Sequence, residues 1–436
     1  MLSHRMLSHR MLRRLALLTA AGLVSLAALP AAPARGAAAA PADSIRTSQQ
    51  WVLNMLDAEA AWSVTRGAGV TVAVIDSGVN PSVSDLSGSV ITGPDYTGVS
   101  TRPSSQEWGV HGTWMASLIA GHGHDGGFSG VIGIAPAARI LSIRVIPDRA
   151  DPHYRKYERE RETVIQQSLV DGIKYAVTHG AKVISMSIGY SAPSGTVRAE
   201  LQDAYDHGVV VIASAGNSGD PATSRDQTGA PESFPANYPG VISVGAVNPD
   251  GAVAPFSSDN LSVQVAAPGV SVPAQGRDGQ YWSVSGTSPA CALVAGVAAL
   301  IKARYPKLAP DLVASAMTST ATHRPAGGYD SQVGFGIVDA AAALSKAGRL
   351  ADHRPAATGI KAAARYHGAL APEPVAPRGS GQLILFMLLG LTSLVLIAAA
   401  VTRLAVLRRS AGRSPGQSPG RSLGQSPGQS PGRADR

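Results

Sequence analysis

Val70-Thr71-Val72-Ala73-Val74-Ile75 is a β-branched run with almost no polar position. A strand apolar on both faces needs cover on both faces, which is the condition of a parallel sheet flanked by helices. Four further stretches read as strands: Ala138 to Val145, Lys182 to Ile188, Val209 to Ala213 and Val241 to Val247. Between them, Val110 to Gly121, Val164 to Thr178 and Thr196 to His207 read as helices. Strands alternating with helices predict an α/β chain with a doubly wound, mostly parallel sheet. Such sheets build their sites just beyond the carboxyl ends of the strands.

Chemistry-bearing residues stand at those ends. The first strand runs into Asp76-Ser77-Gly78, a carboxylate before a glycine turn, and His111 opens the first helix. Val209 to Ala213 leads into Ser214-Ala215-Gly216-Asn217. Ser285-Gly286-Thr287-Ser288-Pro289 delivers Ser288 to the start of an apolar, small-residue helix continuing to Ile301. Each residue has an ordinary reading. Ser288 before Pro289 fits a helix cap, Asp76 and Asn217 fit turns, and His111 fits a helix-start histidine. Read together they fit nucleophilic catalysis. A serine hydroxyl is a poor nucleophile until an imidazole takes its proton, and the imidazole needs a carboxylate to fix its tautomer. The free N–H groups and positive end of a helix beside Ser288 would favour an oxyanion.

The local strings resemble the signature segments of the subtilases. Val74-Ile75-Asp76-Ser77-Gly78-Val79, His111-Gly112-Thr113, Ser214-Ala215-Gly216-Asn217 and Gly286-Thr287-Ser288 occur in that family's order. The resemblance runs from about Trp51 to Ala347. It implies a subtilisin-like fold and a serine endopeptidase with Asp76, His111 and Ser288 as its triad. Asn217 and the Ser288 backbone N–H would form the oxyanion hole. Substrate would add as a strand along Ser187-Ile188-Gly189 and along Ala213, Ser214, Ala215 and Gly216. Pro289 departs from the family, which often has Met or Phe there.

No cofactor is implied, and no metal ligands are assigned. Some subtilases carry structural calcium, and the resemblance assigns it no ligands in this chain. His122, His124 and Asp125 have metal-like spacing but fall in a glycine-rich loop. Pro147 to Glu162 is densely charged and reads as a solvated surface insertion rather than a recognition loop. Cys291, the one cysteine, reads as a buried small hydrophobe.

The net charge is +8, but Arg5, Arg10, Arg13 and Arg14 together with the stretch after Thr402 carry +10, leaving −2 for the rest. The basic balance thus belongs to the ends, which argues against nucleic acid as a partner of the body. At the start, Met1-Leu-Ser-His-Arg recurs from Met6, so initiation at Met1, Met6 or Met11 is open. Arg13-Arg14 precede an apolar run and small-residue sites at Ala32-Pro33-Ala34 and Ala40-Pro41-Ala42, so residues 1–42 read as a signal peptide.

Residues 43–348 then form the catalytic domain and 349–382 a proline- and alanine-rich linker. Leu383 to Thr402 is an uncharged 20-residue run, long enough to cross a membrane. Arg403, Arg408 and Arg409 follow, which places residues 403–436 on the cytoplasmic side as a basic disordered tail and the body outside. Only 34 residues separate Ala42 from Asp76, too few for the large inhibitory prodomain of many secreted subtilases. That feature and the plasma-membrane anchor resemble the mycosins of type VII secretion systems. The resemblance implies a peptide or protein substrate and association with secretion-channel components. A scaffold stabilising such a complex, with proteolysis secondary, is the alternative. The lone Cys291 departs from mycosins that carry disulfides.

Overall fold

The computed structural model describes residues 42–219, 233–352 and 380–411. Two helices open it, α1 (Ala42–Met55) and α2 (Ala58–Trp62). β1 (Thr71–Asp76), β2 (Val90–Asp95), α3 (Val110–Ala120), β3 (His122–His124), β4 (Ser129–Ile132) and β5 (Arg139–Arg144) follow. Next come α4 (Tyr154–Thr178), β6 (Val183–Met186), α5 (Gly195–Asp206), β7 (Val210–Ser214), β8 (Val241–Val247) and β9 (Val263–Pro268). A hairpin of β10 (Val272–Gln275) and β11 (Tyr281–Val284) precedes α6 (Thr287–Arg304), α7 (Pro310–Thr320), α8 (Ala340–Asp352) and α9 (Ser380–Ala411).

Seven strands form one sheet in the order β2-β5-β1-β6-β7-β8-β9, every neighbouring pair parallel. β1 lies near the middle and is buried from Val72 onward. Its pleat divides its side chains between two cores. Val72 and Val74 pack with α6 residues such as Leu293 and Val297. Ala73 and Ile75 pack on the other face with Ile165 and Ile173 of α4 and Leu201 of α5. The small residues of α6 are buried nearly end to end, which lets this helix lie in the core. Cys291 is fully buried there, and burial pushes its thiol up to about 12.

The charged segment after β5 corrects the sequence expectation. Its second half joins α4, and Asp148 and Asp151 are buried, 7 % and 3 % exposed. Each finds a structural partner: Asp148 accepts two backbone N–H groups at the start of α3, and Asp151 pairs with the buried Arg144. A carboxylate so paired tolerates burial that an isolated one would not.

The described residues up to Asp352 form one compact unit and those from Ser380 another. In the second, α9 outruns the expected span, continuing to Ala411. Its window Met387–Leu404 is long and apolar enough to cross a membrane, with a mean hydropathy of 2.0 and no burial. α6 meets the same length and composition test but is 83 % buried, as befits a core helix. The expected signal peptide, most of the linker and the end of the tail lie outside the described residues.

Candidate active site

Asp76 and His111 meet at the carboxyl end of β1. His111 Nδ1 lies 2.7 Å from Asp76 Oδ1, and the carboxylate is fully buried. Asp76 Oδ1 also accepts the Ser77 N–H at 2.7 Å, while Oδ2 is buried with no hydrogen-bond partner among the described residues. An ionised carboxylate only accepts, so Nδ1 carries the proton of the neutral imidazole and Nε2 keeps its lone pair. Burial opposes a charged His111, but Asp76, with a smaller contribution from Asp148, outweighs it and raises the imidazole above its ordinary range.

The loop geometry that permits this meeting depends on a missing side chain. A Cβ on Gly112 would strike the Gly78 carbonyl oxygen, so α3 can approach the turn after Asp76 only with glycine there. Gly112 N also donates to Ser77 Oγ at 3.0 Å, tying the helix to that turn.

Ser288 is not the helix cap. Gly286 occupies that position at φ 149, a backbone region that favours glycine, and Thr287 and Ser288 open α6. The Ser288 hydroxyl donates to the Ser187 carbonyl at 3.3 Å and is half-exposed on a cavity of about 940 Å³. His111 and Asn217 line the same cavity. Asn217 Oδ1 accepts both the N–H (2.8 Å) and the hydroxyl (2.9 Å) of Thr287. That fixes the amide, leaving its NH₂ group for the cavity.

Ser187, Ile188, Gly189, Ser214 and Gly216 also line the cavity. Ala213 and Ala215 do not: both are fully buried, Ala213 inside β7 paired with β6 and β8, and Ala215 N donating to the Val244 carbonyl at 3.0 Å. The cavity wall includes residues the sequence reading missed, among them Asp148 and Arg149. A signal for them existed. They follow the carboxyl end of β5, the parallel neighbour of β1, where this class of sheet builds its sites.

Of His122, His124 and Asp125, only the last two approach each other, with His124 Nε2 3.6 Å from Asp125 Oδ2. His122 bonds backbone carbonyls of Ser87 and Gly123, and His124 Nδ1 lies 2.7 Å from the buried Asp85. Among the described residues no group of three or more His, Cys, Asp or Glu side chains could hold a metal ion.

The model of the subtilase family matches residues 67–336. Subtilisin DY of Bacillus licheniformis is 35 % identical over 278 residues, 64 % of this chain and 92 % of that protein. Among solved structures, MycP1 from Mycobacterium smegmatis is 32 % identical and covers 67 % of this chain and 84 % of its own, with a TM-score of 0.56. The MycP3 protease from the type VII (ESX-3) secretion system is 31 % identical, covering 67 % and 87 %, with a TM-score of 0.57. The chain belongs to the subtilase family and is a subtilisin-like serine endopeptidase close to the mycosins.

Proposed function

We propose that the chain cleaves peptide bonds through an acyl-enzyme, with Ser288 as nucleophile, His111 as base and Asp76 as its orienting carboxylate. The single observation that carries this is the 2.7 Å contact of His111 with buried Asp76, on a cavity that also holds Ser288. The Ser288 hydroxyl leaves the Ser187 carbonyl for His111 Nε2 when substrate binds; catalytic hydrogen bonds often tighten only in the complex. Oγ attacks the scissile carbonyl carbon and its proton passes to Nε2. The oxyanion accepts hydrogen bonds from the Asn217 amide and the Ser288 N–H at the start of α6. Nε2 then protonates the leaving amine, and water, deprotonated by the same nitrogen, releases the acid. Ser187 to Gly189 and Ser214 to Gly216 present backbone on which a substrate strand adds. Hydrolysis of a denatured protein by the purified full chain, lost in Ser288→Ala and His111→Ala, is the expected result. Unchanged hydrolysis by either variant overturns the assignment.

We further propose that α9 anchors the protease in the plasma membrane at Leu383 to Thr402, with residues 1–42 a signal peptide, 43–348 the catalytic domain outside, 349–382 the linker and 403–436 the cytoplasmic tail. The apolar window Met387–Leu404 supports this. The similarity to MycP1 and MycP3 supports a role with a type VII secretion system, acting on a secreted protein or on a channel component. The scaffold reading draws on the same similarity. Secretion measured with Ser288→Ala in place separates them, since a scaffold keeps secretion running without proteolysis.

A further inference from the structure

One buried carboxylate outside the triad reaches the base. Asp148, four residues beyond β5, accepts the N–H of Val110 through Oδ2 at 2.8 Å and that of His111 through Oδ1 at 2.9 Å. These are the first N–H groups of α3, which have no acceptor inside their own helix. The residue at the cap position supplies none, because Gly109 has no side chain. A carboxylate from a different segment therefore caps the helix that carries His111, where the helix dipole also favours negative charge.

We propose that Asp148 is a second positioning residue for His111. Asp76 holds the ring, while Asp148 holds the backbone from which the ring projects. Its charge also favours the imidazolium that forms when Ser288 gives up its proton. This rests on the triad reading given above.

The charges around Asp148 set the balance. Burial raises its carboxyl above the usual carboxylate range, as does Asp76, against the two helix N–H groups and His111. Arg149 opposes a charged imidazole at His111. Arg277, held by the carbonyls of Pro103 and Ser105, is drawn to Asp148 from the β10–β11 turn. Protonation of Asp148 in acid weakens the acceptor on which the start of α3 rests.

The test follows the labelling rate of the full chain by a fluorophosphonate probe from acid to neutral pH. Asp148→Asn should slow labelling by about 10- to 100-fold, the scale of a small displacement of a catalytic group. With a negative charge gone, the imidazole protonates less readily, so the half-point of the acidic limb should move to lower pH. Asp148→Ala removes both the acceptor and the charge and should move the half-point in the same direction. An unmoved half-point in both variants overturns the proposal, whatever the rate. Loss of folding in both also overturns it, assigning the carboxylate to the fold alone. His111→Ala run alongside tests the triad separately: labelling at the undiminished rate there would sink the triad reading, not merely the role of Asp148.

Discussion

Arg144 stands directly opposite Asp76 in the register of two adjacent parallel strands, and its Nε donates to the carbonyl of Ser77 at 3.1 Å. The guanidinium is 1 % exposed and also reaches Asp95 at 2.6 Å and Asp151 at 3.0 Å. The turn behind the candidate acid is therefore fastened to a buried ionic cluster, and that cluster spans the segment carrying Asp148.

Asp151→Asn should lower stability by about 3 kcal/mol, the scale of breaking a buried pair. Burial works against a charged Asp151, but the Thr101 hydroxyl, the His153 N–H and Arg144 overcome it and hold the carboxyl below its usual range. A lowered folded pKa gives stability that is present above the unfolded value and lost as pH falls through the folded one. The Tm difference between wild type and variant should thus be full at neutral pH and shrink in acid. A constant difference would contradict the role given to this carboxylate.

His111 has the opposite sign. Its folded pKa is raised, so its contribution is full below the unfolded value of about 6.5 and is lost as pH rises through the folded value. The stability of wild type relative to His111→Ala should fall across that window. Activity runs the other way, because the base must be neutral, and should rise as pH passes a value above that of free imidazole.

Gly112→Ala should cost both stability and turnover. The added methyl meets the Gly78 carbonyl, and relief of that contact moves His111 away from Asp76. A kcat loss of about 100-fold with a lowered Tm is expected. A variant with normal kcat would show that the close approach is not needed.

Asn217→Ala should lower kcat by about 10²–10³, a magnitude known from subtilisin itself, with little change in KM. Loss mainly in KM would mean that Asn217 holds substrate in its ground state instead.

The strands that carry the site were legible because they are buried on both faces, and their apolar runs stop where the chemistry begins, at Asp76 and Ser214. β2 escaped notice because Gly93 and Pro94 interrupt it; as an edge strand it tolerates both. α8, rich in alanine, runs to Asp352, past the boundary at 348 expected between catalytic domain and linker, because its composition continues that of the alanine-rich stretch after it. Asp148 and Asp151 were hidden by composition. Local charge density reads as solvated surface, and only the fold reveals that β5 turns these two carboxylates inward onto α3 and Arg144. The same limit hid the fate of His124, whose partner Asp85 lies 39 residues away.

The most direct test of the assembled triad is covalent labelling of the full chain by a fluorophosphonate probe, with Ser288→Ala as control. Labelling of the wild type alone, mapped by mass spectrometry to the peptide containing Ser288, is the predicted result. A folded wild-type protein that takes no label, or label that persists in Ser288→Ala, would contradict it.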